Sequence, residues 1–272
     1  MPQKIQEQNS KEGFIDVTLD RNPGNSTFSE HTHTCHEIYF LISGRVKYFI
    51  KDEIFNANSG DVLMIKKNYI HTTSYPEGTA SERILISYND ALLGSAYKAL
   101  TKSCAERKHF VLSSERQKKV EKIVRRLYLE YKNKEEHYMD MCRNLLGELL
   151  IIINREDNFE SGRELSGTPL VIQNAAKYIS ANIGENLSLG ELSRRFAMSP
   201  SYFSKTFKQY TGLGVNEYIT ALRMARAKKL LKVAGHSITE VATKCGFNDS
   251  NYFATVFKRT YGISPKKYSK EE

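Results

Sequence analysis

Long apolar runs and paired cysteines are both missing from this sequence of 272 residues. The longest uninterrupted apolar runs, such as residues 149–153, contain five residues, whereas a membrane-spanning helix needs about twenty. The polar start of the chain has no apolar segment behind basic residues, so we expect neither a secretory signal peptide nor a membrane partner. The four cysteines are scattered and form no CxxC pair, so reduced thiols in a cytoplasmic protein fit best.

Sequence motifs of several common enzyme classes are also missing. No GxGxxG, GxSxG or P-loop string occurs, and no cysteine has a neighbouring histidine in a known nucleophile pattern. The chain is therefore not predicted to be an enzyme of these classes.

Positive charge is concentrated in the last third of the chain. Residues 166–272 contain 16 Lys and Arg against 7 Asp and Glu, whereas residues 1–165 contain 24 of each kind. The formal net charge of +9 therefore lies in the carboxy-terminal part. A basic domain beside a neutral one indicates a polyanion partner for the first and a different role for the second.

The basic part contains an internal repeat between Leu187 and Tyr268. A shift of 49 residues aligns Leu189 with Ile238 and Leu192 with Val241. A shift of 50 residues pairs identical residues, namely Tyr202 with Tyr252, Phe203 with Phe253, Phe207 with Phe257, Lys208 with Lys258, Gly212 with Gly262 and Tyr218 with Tyr268.

Each copy predicts two short helices separated by a tight turn. Ser199 and Pro200 form an N-cap and a first helical residue in the first copy, and Asp249 is the expected N-cap in the second. The helix that follows has an inward apolar face, which includes Tyr202 and Tyr252, and a small, polar or basic outward face. The outward residues are Ser201, Ser204, Lys205 and Lys208 in the first copy and Asn251, Ala254, Thr255 and Lys258 in the second. This pattern is typical of a helix-turn-helix.

Residues 216–233 between the copies predict one long helix, with Gly235 placed to end it. Eighteen residues at about 1.5 Å each span roughly 27 Å, near the ~34 Å repeat of the major groove on one side of B-DNA. One chain could therefore insert both outward helices into successive grooves. The basic side chains of the connecting helix are candidates for phosphate contacts: Arg223, Arg226, Lys228, Lys229 and Lys232.

Two segments carry a specific family resemblance. GFNDSNYFATVFKRTYGISPKKY at 246–268 resembles the signature of AraC/XylS-type transcription regulators, and LSRRFAMSPSYFSKTFKQYTG at 192–212 resembles the preceding half of that family's DNA-binding domain. The resemblance implies two helix-turn-helix units that read adjacent major-groove segments of promoter DNA through Ser201, Ser204, Lys205, Asn251, Ala254 and Thr255. Thr255 departs from the arginine common at its position and cannot make an arginine's bidentate guanine contact. The second helix is therefore expected to read bases through Asn251 or to dock mainly on phosphate.

Residues 14–88 show a period of two, which is typical of β-strands. Glu37, Tyr39 and Leu41 alternate with Ile38, Phe40 and Ile42, and Val46, Tyr48 and Ile50 alternate with Lys47 and Phe49. The triplets 43–45 and 58–60 are turn signals. Short strands with turns at close intervals predict a β-sandwich or barrel.

Histidines and a glutamate in this region resemble two cupin motifs. His31 and His33 form a HxH pair, Glu37 follows, and His71 lies eleven residues after Gly60. In cupins such residues converge inside a small jelly-roll barrel, and three imidazoles with a carboxylate suit Mn, Fe, Ni or Zn. The match is partial, because the glycines and the proline of the motifs are replaced at Asn25, Lys66 and Asn68.

Three interpretations of this cluster remain open: an effector pocket, a metal site and a structural hydrogen-bond network. In AraC-type sensor domains the barrel usually holds a small effector, often a sugar. The resemblance therefore implies a pocket lined by His31, His33, Glu37, Tyr39 and His71. No cofactor is required by this interpretation, and the alternative is a divalent metal on His31, His33, Glu37 and His71.

Residues 114–132 and 138–153 each place apolar residues on one stripe and predict two amphipathic helices. These helices could cap the open side of the barrel. In the family that the chain resembles, such helices often pair between subunits, which implies a homodimer. The polar residues that follow predict a linker, and Pro169 is expected to open the next helix.

The predicted fold has two domains: an amino-terminal β jelly-roll or cupin-like barrel with flanking α-helices, and a carboxy-terminal all-α domain with two helix-turn-helix motifs joined by a long helix. The expected boundaries are 1–95 for the barrel, 96–155 for a helical capping or dimerisation segment, 156–168 for the linker and 169–272 for the DNA-binding domain. The predicted function is that of a cytoplasmic transcription regulator, an activator rather than a repressor, whose partners are promoter DNA, a small effector such as a sugar, and RNA polymerase. The alternative is a metal-dependent cupin enzyme fused to a DNA-binding module.

Overall fold

The computed structural model describes residues 12–22, 29–31, 33–155, 165–233 and 235–270, and of residues 29–31 only the backbone. The chain divides into two compact units, Met1–Leu165 and Ser166–Glu272. Most of the expected linker, residues 156–168, lies outside the described residues. Its last two positions belong to a helix that begins at Gly167, two residues before Pro169. Within the described residues, no helix combines the length and the apolar character needed to cross a bilayer.

The described part of the amino-terminal unit forms two antiparallel sheets. A five-stranded sheet has the order β1-β8-β3-β6-β9, and a four-stranded sheet has the order β2-β7-β4-β5. The strands are β1 (Ile15–Asn22), β2 (Ser29–His31), β3 (His36–Ser43), β4 (Arg45–Ile50), β5 (Glu53–Asn58), β6 (Val62–Ile65), β7 (His71–Ser74), β8 (Ser81–Tyr88) and β9 (His109–Phe110).

Strand β3 lies at the centre of the five-stranded sheet and is buried on both faces. Tyr39 and Leu41 belong to an apolar cluster inside the barrel, together with side chains from β4, β5 and β6. Ile38 and Phe40 point to the opposite face, because side chains alternate along a strand, and they belong to a second cluster that includes residues of the helices. The near-continuous apolar run of β3 reflects this two-sided burial.

The helices of this unit are α1 (Asp90–Leu93), α2 (Lys98–Arg107), α3 (Ser114–Asn133) and α4 (Tyr138–Asn154), with a 3₁₀ turn at Ser95–Tyr97. The apolar stripes of α3 and α4 share a cluster with Ile38, Phe40, Ile84 and Ile86, so these helices cover the outer face of the five-stranded sheet. The sequence interpretation differs here in one respect: the segment expected to be helical also contributes β9, which pairs with β6.

The carboxy-terminal unit is helical throughout its described secondary structure. Its helices are α5 (Gly167–Ala181), α6 (Leu189–Arg195), α7 (Pro200–Thr211), α8 (Val215–Leu230), α9 (Ile238–Lys244), α10 (Ser250–Tyr261) and α11 (Pro265–Lys270). Helices α6 and α7 form the first helix-turn-helix unit, and α9 and α10 form the second. The connecting helix α8 ends at Leu230, three residues before the predicted end.

The sequence repeat corresponds to a repeat of local structure. Capping boxes begin α6 at Ser188 and α9 at Ser237, which are 49 residues apart. In each helix-turn-helix unit, two phenylalanine rings pack against each other in the core at the same separation. The centroids of Phe203 and Phe207 lie 5.8 Å apart, as do those of Phe253 and Phe257. The same packing solution therefore occurs twice.

Candidate functional site

The barrel contains a buried cluster that joins the two sheets. Glu37 lies near the start of β3, and His71 begins β7 of the other sheet. The Nε2 atom of His33 lies 3.0 Å from Glu37 Oε1, and the Nε2 atom of His71 lies 3.5 Å from Glu37 Oε2. The two imidazole centroids are 4.9 Å apart. Three of the side chains expected to form the site are thus brought together.

Backbone carbonyls orient both imidazoles. The Nδ1 atom of His33 lies 2.8 Å from the carbonyl oxygen of Cys35, and the Nδ1 atom of His71 lies 3.1 Å from that of Tyr69. A carbonyl oxygen only accepts, so each Nδ1 carries a proton and donates it. Each Nε2 atom is therefore directed at Glu37.

The charges in this cluster stabilise one another. Burial alone would lower the pKa of His33, but hydrogen bonds to the Cys35 carbonyl and to Glu37 raise it to about 10. Burial alone would raise the pKa of Glu37, but hydrogen bonds from His33 and His71 hold it well below its usual range. Because each charged form is favoured by its partner, Glu37 and His33 form a buried ion pair at neutral pH.

Tyr39 shares the inward side of β3 with Glu37 and lies among further polar side chains. Its ring centroid lies 5.0 Å from that of Tyr48, and the guanidinium of Arg83 lies 5.2 Å from the Tyr39 centroid. Ser87 donates to Glu37 Oε1 across 3.4 Å. The sequence interpretation missed Tyr48, Arg83 and Ser87. The positions of Ser87 and Arg83 follow from the register of β8 against β3, which pairs Ser87 with Glu37 and Arg83 with Leu41.

The structure does not place the side chains of the other two histidines of the motif region, His31 and His36, in this cluster. The backbone of His31 pairs with that of His71 between β2 and β7, and the His31 side chain lies outside the described part of the structure. His36 lies on the other side of β3 from Glu37, where its Nε2 atom is 3.1 Å from Asp90 Oδ1. His36 is therefore not part of the barrel cluster.

The cluster also fits a metal ion. His33, Glu37 and His71 each offer one ligand atom, and these atoms lie within 4.8 Å of one another. Imidazoles that bind metals usually donate their second N–H to a carbonyl or carboxylate, as both imidazoles do here. A metal on the Nε2 atoms would replace the proton that His33 now shares with Glu37.

Helices α7 and α10 expose corresponding side chains. Phe203, Phe207, Phe253 and Phe257 are fully buried. The residues expected to read DNA lie on the opposite side: Ser201, Lys205, Lys208, Asn251, Thr255 and Lys258 are exposed, and Ser204 and Ala254 are half-buried. The carboxy-terminal unit thus presents two polar faces at corresponding positions of α7 and α10.

The prediction that Tyr202 and Tyr252 face inward is wrong. Tyr202 is 52% exposed and Tyr252 is 60% exposed. Both lie in the first helical turn, where the following phenylalanine fills the core instead. Each helix-turn-helix unit therefore presents a tyrosine side chain beside its polar face.

The two polar faces differ in one chemical respect. Lys205 of α7 corresponds to Thr255 of α10, whose hydroxyl donates to the backbone oxygen of Asn251 across 3.0 Å. The cationic group of the first helix is thus replaced by a short side chain bonded to its own helix.

The cations of α8 do not share one role. Arg226 and Lys229 are exposed, as expected for phosphate contacts, and so is Lys232 just beyond the helix. Arg223 is half-buried and donates to the carbonyl oxygens of Ile183 and Glu185. Arg223 therefore binds backbone carbonyls, unlike the exposed cations that suit phosphate contacts.

Comparisons with known proteins agree with this arrangement. An AraC-like ligand binding domain matches residues 15–146, and a helix-turn-helix domain matches residues 192–271. The HTH-type transcriptional activator RhaR of Mannheimia succiniciproducens is 25% identical over 252 residues, which cover 93% of this chain and 91% of that protein. The activator RhaS of Escherichia fergusonii is 24% identical over 258 residues, with coverage of 93% and 91%.

A solved structure resembles the carboxy-terminal unit. The C-terminal domain of the two-component response regulator yesN from Fusobacterium nucleatum is 35% identical, and the match covers 39% of this chain and 100% of that one at a TM-score of 0.36. The two domain matches, in the order found here, and the full-length relatives define the protein: the chain belongs to the AraC family of DNA-binding transcription regulators, with an amino-terminal ligand-binding domain and a carboxy-terminal tandem helix-turn-helix domain.

Proposed function

We propose that the chain is a non-enzymatic, effector-responsive activator in which a small molecule bound at His33, Glu37, Tyr39 and His71 controls promoter binding by α7 and α10. The buried ion pair carries this proposal, because a carboxylate and imidazoles that converge inside a barrel can recognise a polar ligand. His31, whose backbone lies beside His71, belongs to the proposed set through its place in the HxH motif.

A sugar is the effector class that this chemistry favours. The Glu37 carboxylate accepts from hydroxyl groups, and the protonated His33 donates to them. Tyr39 and Tyr48, whose ring centroids lie 5.0 Å apart, add aromatic surface to the interior of the barrel, which suits the C–H groups of a pyranose. A neutral polyhydroxylated ligand can therefore exchange hydrogen bonds with the cluster without adding a buried charge.

Titration of the full-length protein tests this binding site. We expect heat of binding from at least one member of a panel of neutral monosaccharides in isothermal titration calorimetry. His71→Phe should abolish that signal, because it removes the Nε2 atom directed at Glu37 while an aromatic ring still fills the position. A panel without any signal, or an unchanged signal in His71→Phe, would argue against the site.

A divalent metal is a second candidate, favoured by the convergence of three ligand atoms. It would be held by His33, Glu37 and His71, with His31 as a further candidate, and would supply Lewis-acid chemistry to the alternative in which the barrel is an enzyme. Elemental analysis of the purified protein distinguishes the two. About one metal per chain, lost in Glu37→Gln, supports the metal site, whereas sugar binding at substoichiometric metal supports the effector pocket.

For DNA, we propose that α7 and α10 read bases in successive major-groove segments. The polar faces of the two helices occupy corresponding positions, and α8 between them has 16 residues, a length of about 24 Å. Ser201, Ser204 and Lys205 would contact bases in one block, and Asn251, Ala254 and Thr255 in the next. Lys208 and Lys258 lie one turn further along each helix and suit phosphate contacts.

We further propose a cytoplasmic homodimer that recruits RNA polymerase. Leu129 on α3 and Met141 on α4 are 52% and 41% exposed, which leaves apolar surface on the helical layer of the amino-terminal unit. A symmetric pairing of these helices would double the half-sites that are read. Sedimentation with and without bound DNA tests the dimer, and a monomer at micromolar concentration in both cases would contradict it.

A further inference from the structure

Arg223 contacts the loop that leads into the first helix-turn-helix unit and the turn of the second. Its Nε and Nη2 atoms donate to the carbonyl oxygens of Ile183 and Glu185, across 3.2 Å and 2.8 Å, in the loop that leads from α5 into α6. Its guanidinium also lies 5.5 Å from the ring centroid of Phe247, in the turn between α9 and α10. One side chain on the connecting helix thus joins the first unit to the second.

The backbones of these two segments also lie in direct contact. A Cβ atom on Gly246 would lie 2.8 Å from the Ile183 oxygen and 2.7 Å from Arg223 Nη2. A Cβ atom on Gly184 would lie 3.2 Å from the Lys244 oxygen. We call residues 183–185 and 244–247, with Arg223 between them, the inter-unit clamp.

The chemistry of arginine suits this position. The planar guanidinium donates in fixed directions and stacks on an aromatic ring, whereas a lysine ammonium does neither. Burial lowers the pKa of Arg223. Its side chain is half-buried, whereas that of Arg226 on the same helix is exposed. Arg223 is therefore placed to hold protein segments and not a phosphate.

We propose that Arg223 is a positioning residue that fixes the separation and rotation between α7 and α10, and thereby the operator spacing that the protein accepts. The proposal rests on the proposed reading of bases by both helices. A helix alone joins the two units at one place, and the clamp joins them at a second. Because one base pair rotates the next DNA block by about 35°, a rigid pair of reading helices should reject operators whose blocks are moved by one base pair.

Selection from random-sequence DNA with the full-length protein tests the proposal. The wild type should recover two sequence blocks at one separation, with binding reduced about tenfold or more when one base pair is inserted between them. Arg223→Ala and Arg223→Lys should recover the same blocks at several separations, with a reduction of about threefold or less. Lys229→Ala is the control, because it removes an exposed cation from the same helix. It should keep the single separation while binding all DNA more weakly.

The lysine variant separates positioning from charge. A phosphate contact would survive in Arg223→Lys, with the same salt dependence and the same spacing as the wild type, and that result would overturn the proposal. Thermal melts establish that each variant is folded, and Arg223→Lys alone decides the matter if Arg223→Ala does not fold. A wild type that recovers only one block would refute the proposed two-helix reading itself, and the spacing role with it.

Discussion

Ala197 and Gly246 occupy corresponding left-handed positions in the turns of the two helix-turn-helix units, with φ angles of 52° and 81°. The turn geometry is shared, but the surroundings differ. Gly246 lies against Arg223 and the Ile183 carbonyl, so the second turn requires glycine for space as well as for conformation. The repeat has thus diverged where the second unit meets the clamp.

This difference predicts that substitutions at the two positions change the free energy of unfolding by unequal amounts. Gly246→Ala should lower the free energy of unfolding by about 2–4 kcal/mol, because it adds a left-handed strain to a Cβ clash with backbone. Ala197→Gly should change it by less than about 1 kcal/mol, because relief of strain and loss of chain stiffness oppose each other. Urea unfolding followed by circular dichroism measures both, and equal effects would contradict the packing at Gly246.

The buried ion pair in the barrel predicts a large effect from a small change. Glu37→Gln should lower the free energy of unfolding by about 3–5 kcal/mol, because the His33 cation loses its carboxylate in a buried position. Glu82→Gln is the control, since Glu82 pairs with the exposed Arg21 across 2.7 Å and should contribute less than about 1 kcal/mol. Similar losses in both variants would show that the barrel does not hold a charged pair.

Base reading and phosphate contact predict different DNA-binding defects. Lys205→Ala should cost about 1–3 kcal/mol at one operator position and relax specificity there. Lys229→Ala should weaken binding to every sequence alike and reduce the salt slope by about 1. Titrations of operator and random DNA at several salt concentrations measure both. Equal losses of Lys205→Ala on the two DNAs would exclude a base contact.

A gain of specificity is expected from α10. Thr255→Arg introduces a planar fork at the position that corresponds to Lys205, and it should create a preference for guanine of about 1–3 kcal/mol at one base pair. Thr255→Lys adds the charge without the fork and should raise affinity with less base preference. Competition among operators that differ only at that base pair measures the preference. No new preference in either variant would mean that residue 255 does not reach a base edge.

Periodic patterns and caps made much of the fold predictable. The N-caps expected at Ser199 and Asp249 begin α7 and α10. The apolar stripe of α3 at Val120, Ile123 and Val124 is buried as expected. His33, Glu37 and His71, which the resemblance to the cupin motifs implied would converge, do come together. They lie just before β3, in β3 and in β7 of the other sheet.

Contacts between distant segments were not predictable in the same way. Arg83 and Ser87 depend on the register of β8 against β3, which no local pattern specifies. Arg223 donates to backbone carbonyls, and every residue has one, so residue types give no indication of its partners. Periodicity predicted that Tyr202 faces inward, but the first buried side chain of α7 is that of Phe203, one residue further along the helix.

The two-sided burial of β3 has a mechanical consequence. Glu37 and Tyr39 face the barrel cluster, whereas Ile38 and Phe40 face α3 and α4. A twist of this strand about its own axis that draws Glu37 toward a ligand must swing Ile38 the other way, into close-packed helical side chains. The strand therefore couples the inside of the barrel to its outer helical layer, because a rotation of one peptide near the ligand moves side chains on both faces of the strand.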